Sequence, residues 1–227
     1  MCIRDSDDAR GSLKELHRLI LTSKTWQRSS GRDSYLQSHQ LDADDVYLWK
    51  AHRRRLDADT FRDSLLSISE TLDLKMGGPG VEHFIKSKGP QATPSLDYFS
   101  YDWNSPGANR RSIYRVVWRG IPDPFMEALD FPDLGMLAPA RGESVSALQS
   151  LALFNNDFVL HCSIKAASRF ESQATDSESQ IRLAVEAILL RSPASVELIH
   201  YADYVAEHGL AAFCRVLFNS NEFLYVD

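Results

Sequence analysis

The chain has 227 residues, of which 44% are hydrophobic, 25% charged and 10% aromatic, with a formal net charge of −6. That composition excludes disorder, and a length of this order buries a sizeable core without metal or disulfide staples. The acidic balance argues against general nucleic-acid binding, which needs a positive field over much of one face.

No run approaches the roughly 20 apolar residues that span a bilayer, so no membrane span is expected. Met1-Cys2-Ile3-Arg4-Asp5-Ser6 has no apolar centre and is not a signal peptide. It resembles translated sequencing-adapter sequence, so residues 1–10 are set aside as artefact or remnant, with an upstream region expected to be missing. Beyond Cys2, Cys162 and Cys214 sit in apolar helical contexts and read as buried thiols rather than as a disulfide framework.

In chain order, Ser12 and Glu15 form a capping box, followed by Leu13, Leu16 and Ile20 at helical spacing. Phe61, Leu65, Ile68 and Leu72 make a second apolar row, which stops before Gly77-Gly78-Pro79-Gly80. Residues 76–110 hold 5 of the 11 glycines and 4 of the 9 prolines, which predicts a long irregular excursion. Ser112 to Trp118 reads as a strand, with Tyr114, Val116 and Trp118 on one face. Asp123-Pro124 opens a short helix through Leu129, ended by Phe131-Pro132-Asp133.

Ser146 and Gln149 cap a helix reaching Phe154. After Asn155-Asn156-Asp157 another continues to about Ser172 along Val159, Cys162, Ala166 and Phe170. Three further helical segments carry Ile181-Ala184-Ile188, then Leu198-Ala202-Val205 up to Gly209, then Leu210 to about Phe218. Phe223 to Val226 is expected to be extended. The predicted architecture is mainly α: one multi-helix globular domain over 11–227 with a minor β element and one long Gly/Pro-rich loop.

Several ordered blocks carry a family resemblance. They are His17-Arg18-Leu19-Ile20, Arg53-Arg54-Arg55-Leu56-Asp57-Ala58 with Arg62-Asp63, Met76-Gly77-Gly78-Pro79, and Arg110-Arg111-Ser112-Ile113-Tyr114. Pro122-Asp123-Pro124-Phe125 to Asp133, Ala147-Leu148-Gln149 to Asn155, and Asn219 to Asp227 complete the series. Together they resemble the planctomycete-type C-terminal domain of unknown function. The resemblance implies a secreted or periplasmic protein and an upstream partner domain. It also implies, often, a c-type cytochrome domain further upstream, so a haem c would lie outside this chain, which has no C-x-x-C-H and needs no cofactor of its own. It supplies no catalytic residues.

Candidate chemistry follows from residue type. Arg53, Arg54 and Arg55 with Arg110 and Arg111 are predicted to bind an anion, since arginine's planar fork suits carboxylate, sulfate or phosphate. The plainer alternative pairs Arg53 with Asp57 and Arg55 with Asp59 at i, i+4 on a helix. Tyr98, Phe99, Tyr101 and Trp103 sit among polar neighbours and suit sugar rings, or else fold back as a private mini-core. His17 and Asp63 are candidates for a polar cleft. His200, Asp203 and Glu207 share a helical face that reads as solvated rather than metal-binding. Gly77-Gly78-Pro79-Gly80 lacks the ending of a phosphate loop, and no G-x-S-x-G or H-E-x-x-H occurs. These residues are expected to serve a binding or assembly module that contacts its upstream domain and an anionic polysaccharide. The alternative is part of a redox or carbohydrate-active enzyme completed by upstream domains.

Overall fold

The computed structural model describes residues 11–30, 36–89, 93–132, 142 and 144–226. The adapter-like start, Asp133 and Asp227 lie outside the described residues. Two compact units are present, residues 1–54 with 225–227, and residues 55–224.

In the first unit, Ser12 Oγ accepts from the Glu15 amide at 3.4 Å and starts α1 (Leu13–Leu21). The helix forms where the capping signal places it, yet none of its residues is buried. Leu13 and Ile20 of its apolar row lie open, 67% and 43% exposed. Periodicity marks an amphipathic helix without saying whether anything covers its apolar face. After α2 (Leu36–Leu41), Asp42 accepts from the amides of Val46 and Tyr47 at 3.0 and 2.9 Å. The same turn buries Trp49, whose indole donates to the Asp42 carbonyl at 2.7 Å.

The second unit is helical. Asp57 accepts from Thr60 N at 2.8 Å and so fixes the start of α3 (Ala58–Ile68). Arg53 and Arg55 therefore precede the helix, so the alternative that places them on one helical face with Asp57 and Asp59 does not apply. Arg55 lies instead in β1 (Arg54–Arg55). One face of α3 buries Phe61, Leu65 and Leu66, while Leu72 falls beyond its end.

α4 (Pro124–Ala128) starts at Asp123, and α5 (Ala147–Asn155) carries the full Ser146–Gln149 capping box. Asn156 ends α5 and caps α6 (Asp157–Gln173). Then come α7 (Ser177–Leu189), α8 (Ser195–His208) and α9 (Leu210–Phe218). Gly209, between the last two, has φ +83°, a conformation that costs L-residues with a Cβ. α6 packs against α9, α7 and α3 around Phe158, Cys162, Phe170, Phe213 and Phe218, all within 1% of complete burial. Cys162 and Cys214 are free buried thiols, and burial pushes both up to about 12.

Two expectations are corrected. Asn221–Leu224 is a helical turn, α10, and only Tyr225–Val226 (β4) is extended. Ser220 Oγ accepts from Phe223 N at 3.3 Å, and Phe223 packs on Phe61 and Phe218, so local capping and core burial override the β-prone composition. The strand expected at Ser112–Trp118 is a 3₁₀ turn at Ser112–Tyr114, followed by extended chain that meets Val81 in an isolated parallel bridge. The Ser112 amide is taken by the Asp63 carboxylate rather than by a ladder.

The excursion at 76–110 is irregular, as expected, but contains the antiparallel hairpin β2 (Ile85–Ser87) and β3 (Ser95–Asp97), with Lys86 opposite Leu96. A 3₁₀ turn at Pro106–Asn109 follows. The remaining two-stranded sheet pairs β1 with β4.

Candidate ligand cleft beside α3

The irregular chain from 107 to 123 is held on the helical body by a buried polar cluster. Arg62 lies on the apolar face of α3 and is 2% exposed. It donates to the carbonyls of Ala108 and Arg110 at 2.5 and 2.8 Å, with its guanidinium 5.1 Å from the Phe158 ring centroid. Burial lowers its pKa to about 10, and the Arg115 charge adds to that. Asp63 accepts from the Ser112 amide at 2.8 Å and the Ser112 hydroxyl at 2.7 Å.

His83, 2% exposed, donates through Nε2 to the Gly107 carbonyl at 3.1 Å and accepts from Arg115 Nε at Nδ1, also at 3.1 Å. An imidazole that accepts at Nδ1 is neutral. Burial first, and the Arg62 charge next, hold its pKa down to about 3. The far end of Arg115 forms an ion pair with Asp123, the cap of α4.

Two clefts open against this cluster. The wider, about 630 Å³, runs between α3 and the 111–117 segment. Asp59, Thr60, Asp63, Ser64 and Ser67 of α3 line one wall; Arg111, Ile113, Arg115, Val117 and Phe131 line the rest. Thr60, Ser64 and Ser67 stand at i, i+4 and i+7, so their hydroxyls form a row on the face opposite the core. The narrower cleft, about 200 Å³, is lined by Tyr98, Trp118, Arg119, Pro122, Asp123, Met126, Glu127 and Pro132 among others. Arg115, Val117 and Phe131 line both, so the two adjoin.

The residues singled out from sequence fall in several places. Arg53 donates to Ser30 Oγ at 3.2 Å in the first unit, and Arg54 is exposed on β1. Arg55 points into the second unit, donating to Asp130 at 2.7 Å and to Gln149 and the Ser144 carbonyl at 2.6 Å. Arg110 donates to the carbonyls of Lys75, Gly77 and Pro79 at 3.2, 2.7 and 3.2 Å and lies 4.0 Å from the Tyr114 ring centroid. It thereby ties down the Gly-Gly-Pro-Gly turn. Arg111 lines the wider cleft, and its guanidinium has no partner among the described residues.

Tyr98 lines the narrower cleft while donating to the Ile121 carbonyl at 2.7 Å, and burial pushes its hydroxyl up to about 12. Tyr101 and Trp103 stack on each other at 4.9 Å and on His83, and Trp103 lies 4.9 Å from Phe158, as the mini-core alternative has it. Phe99 remains 74% exposed. His17 is exposed on α1 of the first unit, and Asp63 lines the cleft of the second. His200, Asp203 and Glu207 are exposed on α8. Among the described residues no group of three His, Cys, Asp or Glu side chains is arranged to hold a metal.

Sequence reasoning passed over Arg115, Trp118, Phe131 and the hydroxyl row of α3. One signal was present: Arg62 falls four residues after Ala58 and four before Leu66, on the apolar stripe, and a charge there must bond inward. The hydroxyl row is legible on a helical wheel only once α3 is known to border a cleft.

Fold and site together define a mainly α protein with a two-part polar cleft at the seam between its helical body and a long irregular excursion. The chain belongs to the PSD1 family, described as protein of unknown function (DUF1553), whose family model matches residues 7–205. No curated protein and no solved structure matches it.

Proposed function

We propose that this protein is a binding module for a hydroxyl-rich, saccharide-type ligand bearing a carboxylate, taken up in the cleft beside α3. The observation that carries the reading is the unpartnered guanidinium of Arg111 in the same cleft as the Thr60–Ser64–Ser67 row. An arginine fork binds a carboxylate through two parallel charge-assisted hydrogen bonds. The hydroxyls of α3 and the Asp63 oxygen not used by Ser112 exchange hydrogen bonds with ring hydroxyls, and Phe131 and Ile113 offer apolar surface to C–H faces. Asp59 and Asp63 offset Arg111 and Arg115, so the cleft has little net charge.

Isothermal titration of the whole chain with oligogalacturonate, and with a neutral cello-oligosaccharide for comparison, tests the proposal. Oligogalacturonate is expected to bind, with at least a tenfold loss in Arg111→Ala and none in Arg182→Ala, whose side chain pairs with Glu178 on α7. Absence of binding, or equal binding by Arg111→Ala, overturns it.

A further inference from the structure

We infer that the cleft recognises a chain end rather than the middle of a polysaccharide, the narrower part holding the terminal ring; this rests on the saccharide reading above. Ligand pockets for drug-sized molecules run roughly 300–1,000 Å³. The part at Trp118, about 200 Å³, falls below that range and suits a single ring, whereas the adjoining part, about 630 Å³ and more open, has the volume for several.

The two parts differ in the chemistry of their walls as a terminal ring and a continuing chain require. The wide part has one wall of short hydroxyl and carboxylate side chains on α3, facing Arg111, Ile113 and Val117. Trp118, Phe131, Pro122 and Pro132 line the narrow part with apolar surface, which offers a sugar ring C–H contacts. Lys86 Nζ lies 4.8 Å from the Trp118 ring centroid and occupies part of the indole face, so a cation gains little there.

Polar guidance is present at both ends. The Arg115–Asp123 ion pair lies in the narrow part, and Arg119 and Glu127, with no side-chain partner among the described residues, lie beside it. The amide of Val117, common to both parts, has no partner among the described residues. Its neighbour Val116 donates to the Val81 carbonyl at 2.9 Å, and alternate residues of an extended chain direct their backbone groups to opposite sides. The Val117 N–H therefore points away from Val81 and is available as a donor where the terminal ring joins the next.

Binding stoichiometry tests this without a variant. Short oligogalacturonate and long polygalacturonate are titrated into the whole chain at matched chain-end concentration and at matched mass. Chain-end recognition predicts coincident isotherms at matched ends and about one protein bound per chain at any length. Many proteins per long chain, with isotherms that coincide at matched mass, overturn end recognition and leave the binding function standing. No binding of either overturns both. Trp118→Ala, with its folding checked by circular dichroism, is expected to lose affinity for the short oligomer at least tenfold; unchanged affinity overturns the assignment of the terminal ring to that cleft.

Discussion

Acidification of this protein has a calculable cost at one residue. His83 is neutral and enclosed, donating to the Gly107 carbonyl and accepting from Arg115, with a pKa of about 3. In the unfolded chain an imidazole titrates near 6.5. Between those values the unfolded state binds the extra proton, so stability falls as pH drops through 6.5 toward 3. At pH 5 the unfolded histidine is about 97% protonated while the folded one is not, a loss of about 2 kcal/mol relative to pH 7.5. The half-buried His161, also lowered by burial, adds in the same direction. Carboxylates such as Glu197, held to about 2 by Arg191, lose their contribution from about pH 4.5 downward and so add little between pH 7.5 and 5. The assay is urea unfolding at pH 7.5 and pH 5, followed by tryptophan fluorescence, on the parent chain and on His83→Gln, whose amide keeps a donor and an acceptor but does not titrate. The variant is expected to show a pH-dependent loss smaller by about 2 kcal/mol. Equal losses in the two proteins refute the reasoning, because the destabilisation would then not arise at His83.

Three further outcomes follow from placement. Leu65→Ala, in the fully buried face of α3, is expected to cost about 2–5 kcal/mol in urea unfolding, whereas Leu13→Ala on the open face of α1 changes stability by less than about 0.5 kcal/mol. Arg62→Leu strands the carbonyls of Ala108 and Arg110 away from water and is expected to cost about 3 kcal/mol, with earlier proteolysis in residues 107–112 as a second readout. Arg110→Ala, which releases three carbonyls of the 75–79 turn, is expected to cost at least about 1 kcal/mol, while the adjacent Arg111→Ala stays within about 0.5 kcal/mol.

What was legible in the sequence was whatever local chemistry decides. Ser146 with Gln149 announces α5, Asp123-Pro124 announces α4, and Gly209 separates α8 from a last long helix whose bounds, Leu210–Phe218, follow from the pattern alone. The failures share a cause. Alternation at Tyr114, Val116 and Trp118 describes an extended chain correctly but cannot supply a partner strand, and the Ser112 amide goes to a carboxylate 49 residues earlier. The row on α1 is equally regular and covers nothing. For the site, Asp63 and Arg111 were singled out, but Trp118, Phe131 and the α3 hydroxyls are brought together only by the buried cluster around Arg62 and His83. That cluster pairs side chains with distant carbonyls, and such bonds leave no periodic trace.

The arginines make the physical point most directly. Clustered in sequence, they suggest a positive surface waiting for an anion. Irregular chain, however, leaves carbonyls without the partners that helices and sheets provide, and each must still be satisfied. An arginine carries five donors in a rigid fork and can serve several carbonyls at once. Arg62 and Arg110 do so, Arg169 donates to the Ile68 carbonyl at 2.6 Å, and Arg55 and Arg115 add buried ion pairs. The excursion thus stays attached to the helical body through guanidinium groups as well as through the rings of Tyr101 and Trp103. Cationic charge in this protein is then mostly structural, and the meaningful signal is the exception: a guanidinium that lines a cleft while five others are committed inward, which is the position of Arg111.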